Sequence, residues 1–210
     1  MAALSSRSEA QESKRAAIEA GVLGATEELL SEGSSYADLK IEQIATRSGI
    51  SRTAFYFYFR DKRELLMRLS EDVSELLYRE ADAWWSGDGD GPTELARALE
   101  VVVGLYDSHG VLLRAVVEAS AYDEVVAGFW RAIVGRFAEA TERRLESEQA
   151  AGHVGEMPLA ETAFALCWMT ERACYQRLVA GSDPTDPPFL AGIVRVWVGA
   201  IYGRPPAAAQ

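Results

Sequence analysis

The chain has 210 residues, 49% of them apolar and 25% charged, with a formal net charge of −11. That length and apolar share admit a substantial core, in one mid-sized domain or in a small domain followed by a larger one. The acidic balance excludes a generally basic nucleic-acid coat. Neither an apolar signal core nor a run of about 18 apolar residues stands out, so a cytoplasmic protein with no membrane partner is expected.

Residues 1–10 read as frayed, being Ser, Ala and charge without an apolar period. The first helix is predicted from about Glu9 to Ser31, with Ile18, Val22, Ala25 and Leu29 on one face and Gly33 ending it. Lys14 and Arg15 either reach a phosphate or lie on a solvated face. Tyr36 and Leu39 lead into a small three-helix core. From Ile41 to Leu66 the chain reads as two short helices around a tight turn, followed by a long one. Ile44 and Ala45 face inward, Gly49 makes the turn, and Ser51 caps the next helix. That helix, Ser51 to about Tyr58, carries the run Phe55-Tyr56-Phe57-Tyr58-Phe59. Helical spacing puts Phe55 and Phe59 on a buried side and Arg52, Thr53 and Tyr56 on another. A short helix with one greasy face and one hydroxyl- and guanidinium-bearing face suits a DNA major groove, as in a helix-turn-helix. Residues 40–63 carry six basic side chains against two acidic, while 61–210 carry 14 basic and 24 acidic. A basic focus on an acidic body fits a chain that meets DNA at one end.

The fourth helix is predicted from about Asp61 to Trp85, with Leu65, Leu66, Leu69, Val73, Leu76, Leu77 and Trp84 as its stripe. It is longer than a three-helix head needs, so it links the head to a second domain. SGDGDG breaks the chain, and Pro92, capped by Asp90 or Gly91, opens helix five to about Asp107. Helix six covers Val111–Ser120, and helix seven runs from Tyr122 or Asp123 to about Ala150. Helix eight, about Leu159–Ala180, and helix nine, Phe189–Tyr202, are too apolar for one buried face each, so both are expected to pair with a second copy about a two-fold axis. The tail from Arg204 reads as disordered. Cys167 and Cys174 lie seven residues apart on one helix, roughly 10 Å along its axis, too far for a disulfide. They read as core thiols. His109 and His153 lack metal-like spacing, and no catalytic constellation, metal site or cofactor motif is visible. The inward aromatics Tyr106, Trp130, Phe137, Trp168, Tyr175 and Trp197 belong either to a solid core or to a pocket. Glu171 and Arg172 pair structurally or serve a ligand.

SRTAFYFYFRDKREL resembles the end of the TetR-family DNA-binding domain, across roughly Lys14 to Leu66, and WVGAIYG with MTER resembles the EthR-like branch of that family. The resemblance implies an all-α fold, with a three-helix helix-turn-helix domain at 1–60 and a six-helix ligand-binding and dimerisation domain at 61–210. It implies a transcriptional repressor that binds a palindromic operator as a dimer and is released by a small, largely apolar effector. An adaptor without ligand, or a pocket enzyme, are the alternatives. Arg52 and Thr53 are the candidates for base edges and Tyr56 for base or phosphate. Ser51, Tyr58, Lys62, Lys40, Thr46 and Arg47 are the candidates for phosphate. Tyr56 and Lys62 match the family's backbone-contacting Tyr and Lys, whereas Thr53 and Ala54 depart from its frequent Gly and Thr. Cys167, Thr170, Glu171, Tyr175 and Trp197 match positions lining that branch's apolar tunnel, with Val102, Tyr106, Trp130 and Phe137 as further lining. Cys167 and Thr170 replace the branch's amide side chains, so the ligand's polar contacts differ.

Overall fold

A computed structural model describes residues 2–87 and 89–203, and the described residues form nine α-helices and no strand. The helices are α1 (Ala2–Ser31), α2 (Ile41–Arg47), α3 (Arg52–Tyr58), α4 (Lys62–Trp85), α5 (Gly91–Ser108), α6 (Gly110–Ser120), α7 (Glu124–Ala150), α8 (Leu159–Val179) and α9 (Pro187–Ile201). The chain divides into two compact units between Glu71 and Asp72, inside α4. The tail from Arg204, expected to be disordered, lies outside the described residues.

In the first unit, α1 begins at Ala2, so the stretch expected to fray is helical. Residues 2–20 hold no Gly or Pro and are rich in good helix formers. Gly33, at φ +96°, ends α1 in the left-handed region, and the Ser34 amide reaches back to the Leu29 carbonyl at 3.2 Å. Gly49, at φ +72°, makes the turn after α2. Ser51 Oγ then accepts from the Ala54 amide at 3.0 Å and starts α3. A helix of seven residues is not stable alone. Phe55 and Phe59, both fully buried, anchor it in a core that also buries Ile44, Ala45, Leu65 and Leu66, each ring contributing on the order of 2–3 kcal/mol.

In the second unit, Asp90 caps α5 by accepting from the Thr93 amide, with Pro92 in the first turn. Asp123 caps α7, accepting from the Val125 and Val126 amides at 3.0 and 3.3 Å. α7 packs along α8, α6 lies on both, and α5 lies on α9. α9 starts at Pro187, two residues ahead of the expected Phe189. Arg177 of α8 holds the turn between α8 and α9 through the Asp183 carbonyl (2.8 Å) and the Asp186 carboxylate (3.2 Å).

Candidate DNA-contacting surface and ligand cavity

On α3, Ser51, Arg52, Thr53 and Tyr56 are exposed, and Tyr58 is half-buried beneath the Arg15 guanidinium, 5.9 Å from its ring centre. Arg52 Nη1 lies 2.8 Å from Glu42 Oε1. The Tyr56 hydroxyl and the Glu42 carboxylate both favour its charged form and raise its pKa. Phe57, 77% exposed, shares the Thr53 face at i+4 spacing and adds an apolar group to an otherwise polar surface. The sequence reading assigned Phe57 no role, although that spacing was visible. On α2, Lys40 and Thr46 are exposed.

Two further basic candidates are engaged inside the unit. Arg47 forks onto Glu32, with both Nη–Oε distances at 2.8 Å, and lies 3.4 Å from Glu28. Its charge holds the Glu32 carboxyl below the usual range. Lys62 Nζ donates to the carbonyls of Tyr36 (2.6 Å), Ala37 (3.0 Å) and Leu39 (2.9 Å) and sits 4.8 Å from the centre of the Tyr36 ring. Tyr36 in turn donates its hydroxyl to the Lys62 carbonyl. An ammonium has three donors, so in this geometry Lys62 has none left for a phosphate. Partial burial lowers its pKa, while the charge of Asp38 acts the other way. Lys62 therefore clasps the segment before α2 to the start of α4.

The second unit encloses a cavity of about 80 Å³, walled by α4, α5, α7, α8 and Trp197 of α9. Val102, Tyr106, Trp130, Phe137, Cys167, Thr170, Glu171 and Trp197 all line it. Tyr175 does not: the wall on α8 ends at Glu171, and the Tyr175 ring packs instead under the Arg172 guanidinium at 5.0 Å. Trp168 also stays off the wall, its ring 6.2 Å from that of Phe164. Leu77, Ala81, Trp84 and Trp85 of α4 and Thr141 of α7 are among the further lining residues that the sequence reading had left out. The adjacent tryptophans closing α4 were their signal.

The lining is mostly apolar, and its indole N–H groups are all matched within the protein. Trp130 Nε1 donates to Glu171 Oε1 (3.3 Å), Trp197 Nε1 to Thr170 Oγ1 (2.7 Å), Trp85 Nε1 to Thr141 Oγ1 (3.2 Å) and Trp84 Nε1 to the Tyr202 hydroxyl (3.4 Å). Thr170 passes its own proton to the Leu166 carbonyl. Burial raises the pKa of Glu171 and pushes the Cys167 and Cys174 thiols up to about 12. Both cysteines are free and buried. Among the described residues no group of three or more His, Cys, Asp or Glu is placed to hold a metal, and no helix is long and apolar enough to cross a membrane.

A helix-turn-helix unit and a second unit holding an apolar cavity are joined in sequence by one helix, and both segments match known families. Residues 95–203, just over half of it, match the family described as transcriptional regulator EthR, C-terminal domain, and residues 22–69 match bacterial regulatory proteins of the tetR family. The chain belongs to the TetR family of transcriptional regulators, in its EthR-like branch. This TetR-family regulator is 30% identical to the HTH-type transcriptional regulator EthR of Mycobacterium tuberculosis (strain CDC 1551 / Oshkosh) over 189 residues, covering 86% of this chain and 85% of that one. It is 28% identical to the Mycolicibacterium smegmatis EthR over 196 residues, covering 90% and 88%. In fold it is similar to FadR of Bacillus subtilis, solved with stearoyl-CoA (TM-score 0.72, 14% identity, 86% of this chain and 98% of that one). SmeT, the repressor of a Stenotrophomonas maltophilia multidrug efflux pump, is also similar in fold (TM-score 0.71, 18% identity, 91% and 97%). Members of this family are regulators, not enzymes. The family binds operator DNA and dimerises.

Proposed function

We propose that this regulator is a cytoplasmic repressor that grips a palindromic operator as a dimer through α2 and α3 and lets go when a small, largely apolar effector fills the cavity. Residues 1–60 serve DNA binding and 61–210 serve sensing and dimerisation. The observation that carries this reading is the wall of the cavity: α4 supplies four lining residues at one end and buries Leu65 and Leu66 beside the helix-turn-helix at the other. An effector that moves the α4 wall biases the head, provided it binds the two states with different affinity. The adaptor alternative calls for a solid core, which the cavity does not favour. A volume of about 80 Å³ is several waters' worth, so the effector is short or displaces a wall side chain. The complex of the related fold with stearoyl-CoA supports a small molecule as the occupant.

For the dimer, α8 and α9 leave Phe164, Val179 and Val196 about half exposed on a single chain, which supports a partner copy there. Within α3, Arg52 and Thr53 face the bases, Tyr56 a base or a phosphate, and Phe57 a thymine methyl. Ser51, Lys40, Thr46 and Tyr58 face the backbone. Arg47 joins them only by exchanging carboxylates for phosphate. The experiment is capture of fragments of the source genome by the purified protein, followed by anisotropy titration of a captured fragment with and without apolar ligands. Affinity that falls steeply with salt and with ligand supports the reading. Affinity that responds to neither overturns it.

A further inference from the structure

The cavity's hydrogen-bonding inventory is lopsided. All four lining indole N–H groups donate to partners within the protein, and the hydroxyls of Thr141 and Thr170 accept two of those bonds. Thr170 also spends its proton on a carbonyl, and Thr141 faces the Cys167 sulfur at 3.7 Å. Of the groups that remain, the Tyr106 phenol donates or accepts, and Glu171 Oε2 has no hydrogen-bond partner among the described residues. Glu171 is only 3% exposed. Its nearest cation is Arg172, whose Nε lies 3.5 Å from Oε2 on a side chain 52% exposed and stacked outward on Tyr175. Trp130, Trp197, Trp84, Trp85 and Phe137 line the same cavity as Glu171. Aromatic faces attract cations, and a buried carboxylate oxygen without a donor is costly until it meets one.

We propose that the effector carries a protonated amine on its apolar body, with the ammonium donating to the Glu171 carboxylate in this aromatic-lined cavity. The inference rests on the reading of the cavity as the effector site and names the chemistry of its occupant. An apolar body fills the remaining wall, and a carboxylate-headed effector finds no free indole donor and faces Glu171.

Burial raises the pKa of Glu171, so the empty site keeps its carboxyl neutral to a higher pH than water does. Wherever that carboxyl is protonated, taking up R–NH₃⁺ converts Glu171–COOH to the carboxylate paired with the ammonium, and one proton leaves to solvent. The groups facing Glu171 are few. On its own helix they are Arg172 and the Cys167 and Cys174 thiols; α5 brings the Tyr106 phenol and α7 the Trp130 indole. α6 carries only Arg114 and Glu118, exposed and paired with each other, and the sole charged residue of α9, Arg195, is exposed. α4 presents uncharged side chains to the cavity.

The test uses the full chain and three probes of one length, hexylamine, hexan-1-ol and hexanoate, titrated by calorimetry and tryptophan fluorescence. Hexylamine is expected to bind at least about tenfold more tightly than hexan-1-ol, with hexanoate weakest. Its affinity rises as pH is raised above the ordinary carboxyl value of 4.5, while that of hexan-1-ol stays flat. Glu171→Gln keeps an acceptor for Trp130 but turns the Oε2 position into a donor, so it removes the preference for the amine and the pH trend together. Should that variant not fold, the order of the probes and the pH trend on the natural chain decide. Hexan-1-ol binding as tightly as hexylamine, or a Glu171→Gln protein that keeps the preference, overturns the inference and leaves the cavity reading standing. No binding of any probe removes both.

Discussion

Replacing Lys62 with Met separates two roles that predict different measurements. The side chain keeps its length but loses three donors to the carbonyls of Tyr36, Ala37 and Leu39. Hydrogen bonds from a charged group are worth about 1.5–3 kcal/mol each by mutation. The bond to Ala37 is exposed, and water replaces that donor cheaply. The bonds to Tyr36 and Leu39 are part-buried, and Met spares the cost of desolvating an ammonium. The net loss is about 2–3 kcal/mol, or a fall of roughly 5–10 °C in Tm for the transition that includes the first unit. Circular-dichroism melts of the full chain, with urea midpoints alongside, give the number. If Lys62 were instead a phosphate ligand, Tm would hold within about 1 °C and the slope of log K against log salt for operator binding would shrink by about 0.9. That pair of results refutes the clasp.

Ser51→Ala removes the cap of α3 and is expected to cost about 1 kcal/mol in a urea titration, since the Ala54 amide loses its acceptor. Arg52→Ala is expected to relax base preference at one operator position by about 1–3 kcal/mol, read by competition among single-base variants of a captured fragment. For Glu171 the sign is fixed by burial. The folded pKa lies above the ordinary 4.5, so the stability this group contributes is present below about pH 4.5 and is lost as pH rises through the raised value. Urea midpoints across that range fall for the natural chain, and Glu171→Gln lacks this component of the slope. Cys167 and Cys174, buried with thiols pushed up to about 12, are expected to resist a thiol reagent at neutral pH until denaturant is added.

What the sequence made legible was local chemistry. Gly33, Gly49, Ser51 and Asp123 announce helix ends through φ or a side-chain oxygen acting within a few residues, and the helices begin and end close to them. What it hid was partnership over distance. Nothing near Lys62 shows that carbonyls 23 to 26 residues upstream will take its protons, or that Glu28 and Glu32 will hold Arg47 across 15 to 19 residues. On α8 the helical period correctly groups Thr170, Glu171 and Tyr175 as neighbours, but where the cavity stops along that face depends on the helices opposite. Trp84 and Trp85 point about 100° apart on an ideal helix, so a stripe argument keeps only one. Both reach the cavity because large indoles cover that arc.

The internal bonding of the indoles has a thermodynamic consequence. A trapped water needs two to four polar partners, and a wall that has matched its N–H groups to its own oxygens offers too few to hold many. The chamber is thus close to dry before anything enters, and a newcomer gains dispersion contacts without displacing ordered solvent. Its uptake should release heat at 25 °C, with the negative heat-capacity change of buried apolar surface, in contrast to the entropy-driven uptake of a wet cleft.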